Sequence, residues 1–157
     1  MSSALQRLRD LGYELPSAPP AMASYVPTRL VPIGDGRGLL FIAGQVSRGK
    51  EGLMTGRVPD EVGTEQAQEA ARACALNVLA QIEAAAGLEQ VEQIAQLTGY
   101  VQCSADFGEQ PEVINAASDL IVEVLGEPGR HSRAAIGSTA LPRHVTVEIA
   151  AVVVVRT

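Results

Sequence analysis

The C-terminal stretch His144-Val145-Thr146-Val147-Glu148-Ile149-Ala150-Ala151-Val152-Val153-Val154-Val155 constrains this chain more than any other segment. β-Branched residues dominate it, so it reads as a buried strand. Side chains alternate between faces, which sets Glu148 on the same side as Thr146, Ala150 and Val152. An ionised carboxylate there is costly unless something pairs with it. The upstream segment Ser132-Arg133-Ala134-Ala135-Ile136-Gly137 offers a partner. If it pairs with the last strand around a turn at Ala140-Leu141-Pro142, a symmetric hairpin register sets Arg133 opposite Glu148. Apolar residues would stabilise the same core as well or better, so a buried Arg–Glu pair marks a candidate site.

A chain of 157 residues is one domain of ordinary size. Its net charge is −6, with 11 Arg and only Lys50 as lysine. No basic stretch is present to neutralise phosphates and no aromatic platform to stack bases, which argues against nucleic acid as a partner. Cys74 and Cys103 belong to no metal-binding spacing, and His131 and His144 add no ligand pattern, so no metal is expected. The thiols read as free and buried, as in a reducing cytoplasm. The N-terminus lacks the apolar core of a secretory signal, and no run is long enough for a membrane helix.

Along the chain, Ser3 to Leu11 forms a short amphipathic helix with Leu5, Leu8 and Leu11 on one side, ended by Gly12. Pro16, Pro19 and Pro20 follow in a stiff connector. Tyr25 to Ile33 and Leu39 to Val46 read as strands around Gly34-Asp35-Gly36. Ser47 to Pro59 is a Gly-rich loop with room for a short strand. Thr64 to Ala86 is the clearest helix, capped by Thr64, stopped by Gly87, and buried along Ala67, Ala71, Cys74, Val78 and Ile82. Ile94 to Cys103 alternates, with Leu97, Gly99, Val101 and Cys103 on one face and Gln96, Thr98, Tyr100 and Gln102 on the other. Pro111 opens a second long helix that ends near Gly126. The order β-β-(β)-α-β-α-β-β gives an α+β sheet with both long helices on one face. The other face needs a cover, which oligomerisation would supply. Residues 1–22 are expected to form an N-terminal helix and proline-rich extension, and 23–157 a single domain.

From about Ala23 to Val155 the chain resembles the RidA/YjgF/UK114 family of imine deaminases, also labelled endoribonuclease L-PSP. The resemblance rests on Tyr25-Val26, Ile42-Ala43-Gly44-Gln45-Val46, Asn77-Val78-Leu79 and Glu83-Ala84-Ala85-Ala86-Gly87-Leu88. It continues through Val113-Ile114-Asn115-Ala116, Ser132-Arg133, Leu141-Pro142 and Val147-Glu148-Ile149, with the Arg133-to-Glu148 interval free of gaps. The N-terminal helix and the longer 47–63 loop resemble a longer, less characterised branch. The resemblance implies a chorismate-mutase-like fold and a homotrimer whose sheets form a central barrel, with sites in clefts between subunits. No cofactor is implied.

The resemblance also implies residue roles. Arg133 corresponds to the arginine that grips a substrate carboxylate, and Glu148 to the acid/base glutamate that directs water. Asn115 and Tyr25 match positions lining the cleft, Tyr25 from the adjacent subunit. Gly44 matches a strand end where backbone meets ligand. Ala43 and Ala135 stand where many imine-hydrolysing members have Ser and Cys, and Ala23-Ser24 replaces the Gly-Pro that often precedes the tyrosine. The expected activity is that of a cytoplasmic 2-iminobutanoate/2-iminopropanoate deaminase-like hydrolase. The alternative is a trimer that binds a small carboxylate without turnover, and ribonuclease action is a weaker third.

Overall fold

Alternation along the last strand decides the architecture: Val147, Ile149, Ala151, Val153 and Val155 are buried, while the residues between them are only partly so. A computed structural model describes residues 3–21 and 23–157. Met1, Ser2 and Met22, which fall within the expected N-terminal extension, lie outside the described residues. Its elements are α1 (Ala4–Asp10), β1 (Thr28–Gly34), β2 (Arg37–Val46), β3 (Arg48–Gly49), β4 (Gly52–Leu53), α2 (Thr64–Ala85), β5 (Val91–Gln102), α3 (Gln110–Leu125), β6 (Ser132–Ser138) and β7 (Val147–Arg156). A five-stranded sheet runs β1-β2-β7-β5-β6, antiparallel throughout except for the parallel β5–β6 pair. The short β3–β4 hairpin stands apart from it.

Helices α2 and α3 cover one face of this mixed α+β fold. Ala67, Ala71, Cys74, Val78 and Ile82 of α2 are fully buried, as the sequence pattern predicts. Alanine at so many inner positions lets α2 lie close to the sheet and to α3. Leu97, Gly99, Val101 and Cys103 line the same core, and a Cβ on Gly99 would meet Ile114 of α3 at 2.6 Å. Both cysteines are free and buried. Helix α1 belongs to this core as well. Ala4 and Leu8 are 2 % and 1 % exposed, the Ala4 N–H donates to Glu89 at 2.8 Å, and Arg7 Nε donates to the Val124 carbonyl at 2.6 Å. Among the described residues, no helix is long and apolar enough to cross a membrane.

Several expectations are corrected. The hairpin between 132–138 and 145–155 does not form. β6 pairs with β5, which sets Arg133 beside Leu97, whereas Glu148 lies beside Tyr100 of β5 and Val46 of β2. The physical reason is α3: a strand–helix–strand unit returns its second strand parallel to the first. β6 therefore takes the edge, and the mostly buried β7 takes the centre. Residues 139–146 cross past the end of β5 instead of turning back on themselves. Gln102, 1 % exposed at that end and not on an open polar face, holds the crossover by accepting from the Leu141 N–H at 3.0 Å.

Smaller corrections follow the same logic. Tyr25 lies in a bend before β1, because Pro27 has no N–H to donate to a ladder and the strand begins only after it. Thr64 is the first helical residue of α2, and the N-cap is Gly63, whose N–H donates to the Gln66 side chain at 3.0 Å. Leu11 is 40 % exposed, and Ala4 takes its place in the buried stripe of α1.

Candidate functional site

The open face of the sheet carries Glu148. Its neighbours in sequence, Val147 and Ile149, point into the helix-covered core, so alternation turns Glu148 the other way. The β2 strand meets β7 with a shift of register between Ile42 and Gln45, so Ala43 and Gly44 leave the ladder beside it. The glutamate side chain lies over Gly44: a Cβ there would run into the carboxylate, with its carbon 2.9 Å away. Glycine is therefore required for close approach. Among the described residues Glu148 makes no hydrogen bond or ion pair, and burial alone holds its carboxyl above the usual range. A polar group left half-buried over bare backbone is placed to act on something that enters the cleft.

That cleft has a volume of about 440 Å³. Tyr25, Gly44 and Glu148 line it, together with Pro19, Pro20 and Ala23 of the N-terminal connector and with Arg48 and Arg143. The connector is fixed from below: Gln81 of α2, 2 % exposed, donates to the Pro19 carbonyl at 2.6 Å. Asn77, one turn earlier, donates to the Arg48 carbonyl at 3.1 Å. Ala43, beside Gly44 in β2, has its N–H on the Pro27 carbonyl at 3.0 Å and its carbonyl accepting from Gln45 at 2.9 Å.

Arg133 is elsewhere. It points to the helix side of β6, where Nη1 donates to Ser118 Oγ at 3.0 Å and Nη2 to the Pro111 carbonyl at 3.2 Å. His131 joins it: Nδ1 lies 2.6 Å from the Gly129 carbonyl and Nε2 2.9 Å from Ser118 Oγ. A carbonyl only accepts, so Nδ1 carries the proton and the Ser118 hydroxyl donates to Nε2 in the neutral ring. Pro111, Asn115 and Ser118 recur at helical spacing, so the exposed Asn115 faces the same groove as Arg133. Ala135, across from Gly99, shares that side of the edge strand. Within one chain, the expected residues thus form two groups: Tyr25, Ala43, Gly44 and Glu148 on one side of the sheet, and Asn115, Arg133 and Ala135 on the other. Among the described residues, no group of three His, Cys, Asp or Glu could hold a metal.

A model of the YjgF/chorismate mutase-like family, described as "putative endoribonuclease", matches residues 5–152. The chain belongs to the YjgF family. It is 40 % identical over 149 residues to Protein TCP17 of Trypanosoma cruzi, covering 93 % of this chain and 90 % of that one. It is similar to the crystal structure of Atu1372 from Agrobacterium tumefaciens, described as of unknown function, at 41 % identity and a TM-score of 0.86, with 98 % and 94 % of the two chains covered. A protein of Shewanella oneidensis described as a "putative endoribonuclease" gives 28 % identity and a TM-score of 0.87 over 97 % and 99 % of the chains.

Within this YjgF-family fold, sequence reasoning missed Arg48, Arg143, Ser118 and Gln81 as site residues. Arg48 opens the two-residue strand β3 and Arg143 sits in a turn, and neither segment is long enough for periodicity to mark a residue that faces a cleft. Ser118 and Gln81 are polar positions on largely apolar helices, a signal that was available.

Proposed function

We propose that the chain is a hydrolytic deaminase of 2-imino acids formed from reactive enamines, built as a homotrimer. The observation that carries this reading is Glu148: a carboxylate with raised basicity, without a protein partner, poised over the Gly44 backbone in a cleft. In the reaction, water adds to the carbon of the protonated imine while Glu148 takes one of its protons. The resulting carbinolamine then collapses: Glu148 returns the proton to nitrogen, the C–N bond breaks to release ammonia, and the hydroxyl gives up its proton to water to leave the 2-oxo acid. A base whose pKa rises toward the working pH serves both steps. The imine carbon is already electrophilic, so the chemistry asks only for positioned water and a proton carrier.

Arg133 supplies the substrate carboxylate grip in this reading. Its guanidinium is pre-oriented by Ser118 and the Pro111 carbonyl, which leaves its remaining N–H groups for a ligand. Arg133 and Glu148 lie on opposite faces of one sheet, so in this reading a neighbouring subunit completes the site. The open face suits that assembly. Phe41 and Ile136 are 43 % and 45 % exposed on it, beside the partly covered Val152 and Val154.

The test is ammonia release from imines generated in situ by a dehydratase or an amino-acid oxidase. Wild type should accelerate release, and Glu148→Ala and Arg133→Ala should each lose about a hundredfold or more. No acceleration over several imines would end the deaminase reading. It would favour the binding module, which has its own support: Ala43 and Ala135 put methyl groups at positions where a hydroxyl and a thiol are common in the family.

A further inference from the structure

The cleft that holds Glu148 also holds two cations that the chain leaves unneutralised. Arg48 and Arg143 both line it, and among the described residues neither guanidinium makes a hydrogen bond or ion pair. Neither approaches Glu148 within ion-pair distance. The chain as a whole carries a charge of −6, so this is a local reversal of its electrostatic character.

Arg143 is not an arginine on a loose loop. It and His144 have φ of 55° and 61°, the left-handed region that non-glycine residues seldom occupy. The turn is braced on every side. His144 Nε2 lies 2.5 Å from Glu61, and Nδ1 lies 3.1 Å from Gln102 Nε2. The His144 carbonyl accepts from the Gly56 N–H at 3.0 Å, and the Arg57 N–H holds Glu61 from behind at 3.0 Å. That N–H and the His144 side chain together keep the Glu61 carboxyl below its ordinary range, so it stays an acceptor. Strained backbone kept in place by this many contacts points to a side chain whose position matters. His144 is consumed by the bracing; Arg143 is what the turn presents to the cleft. In β3, Arg48 is mounted on backbone fixed by Asn77.

We propose that this cleft takes a dianionic ligand, a 2-imino or 2-oxo dicarboxylate, with Arg143 and Arg48 receiving the side-chain carboxylate. The inference rests on the deaminase reading for the imine and for Arg133 as the grip on the first carboxylate. A second planar carboxylate is then the group that two further guanidiniums fit, each through paired N–H donors. The apolar wall of Pro19, Pro20, Ala23 and Pro27 suits the methylenes between the two carboxylates.

Isothermal titration tests this with two non-reactive product analogues, 2-oxoglutarate and 2-oxobutyrate, against wild type, Arg143→Ala, Arg143→Lys and Arg48→Ala. Wild type should bind the dicarboxylate about tenfold tighter or more. The preference should fall below about threefold in either alanine variant and recover in part with lysine. Equal affinity for the two acids, binding of neither, or an undiminished preference in Arg143→Ala would overturn the proposal. Ammonia release from a monocarboxylic imine reports separately on the chemistry. Its absence beside an intact dicarboxylate preference would remove the deaminase and leave the ligand class standing. Its presence with no preference would do the reverse.

Discussion

At the scale of single residues, Glu148 costs the fold something. Its folded-state pKa lies above the unfolded value because burial disfavours the charge. Below the ordinary carboxylate range both states are protonated and the cost vanishes. As pH rises through the unfolded pKa the unfolded chain ionises first, and the penalty grows until the folded pKa is passed. Glu148→Gln should therefore raise Tm at neutral pH, with the gap closing on acidification, while ammonia release is lost. A thermal melt series over pH checks the sign. A structural carboxylate holding the fold together would give the opposite sign. This glutamate was legible because a charge inside a β-branched run stands out. What the sequence could not show was its partner. Arg133 lies close to it along the chain, which reads as adjacency, but pairing depends on a register set by α3. Arg143 was illegible for a different reason: its importance comes from a left-handed turn braced by His144, Glu61 and Gln102, which lie far apart in sequence.

At the scale of elements, the periodic segments were readable and the connections were not. The buried stripe of α2 and the alternation of β5 and β7 follow directly from residue spacing, because burial on one face leaves its imprint on every second or every third and fourth position. The path from β6 to β7 has no such imprint. Leu141-Pro142 reads equally as a hairpin turn or as part of a crossover, and the choice is made by Gln102 beneath it. Gln102 accepts from the Leu141 N–H, its own N–H donates to the Thr146 carbonyl, and its side chain reaches His144. Gln102→Leu keeps the volume but leaves the part-buried Leu141 N–H without its acceptor, so it should destabilise the fold by about 1 kcal/mol or more in urea titration. If the crossover is held mainly by the neighbouring strands, that substitution will be close to neutral.

At the scale of the whole molecule, one sheet face is covered by α2 and α3 and the other presents Val31, Phe41 and Ile136 to solvent, at 41 %, 43 % and 45 % exposure. Association through that face should give a particle near three times 16.4 kDa in sedimentation, and Phe41→Arg should reduce it to the single chain. A wild-type monomer would remove the proposed assembly. The separation of Glu148 from Arg133 by the thickness of the sheet has a genetic consequence. In a ring where each site borrows its arginine from the next protomer, chains carrying Glu148→Ala and chains carrying Arg133→Ala are both inert, yet any ring that mixes them regains one intact site. Equal co-expression should restore roughly a quarter of wild-type turnover, so that two dead alleles in one cell complement each other.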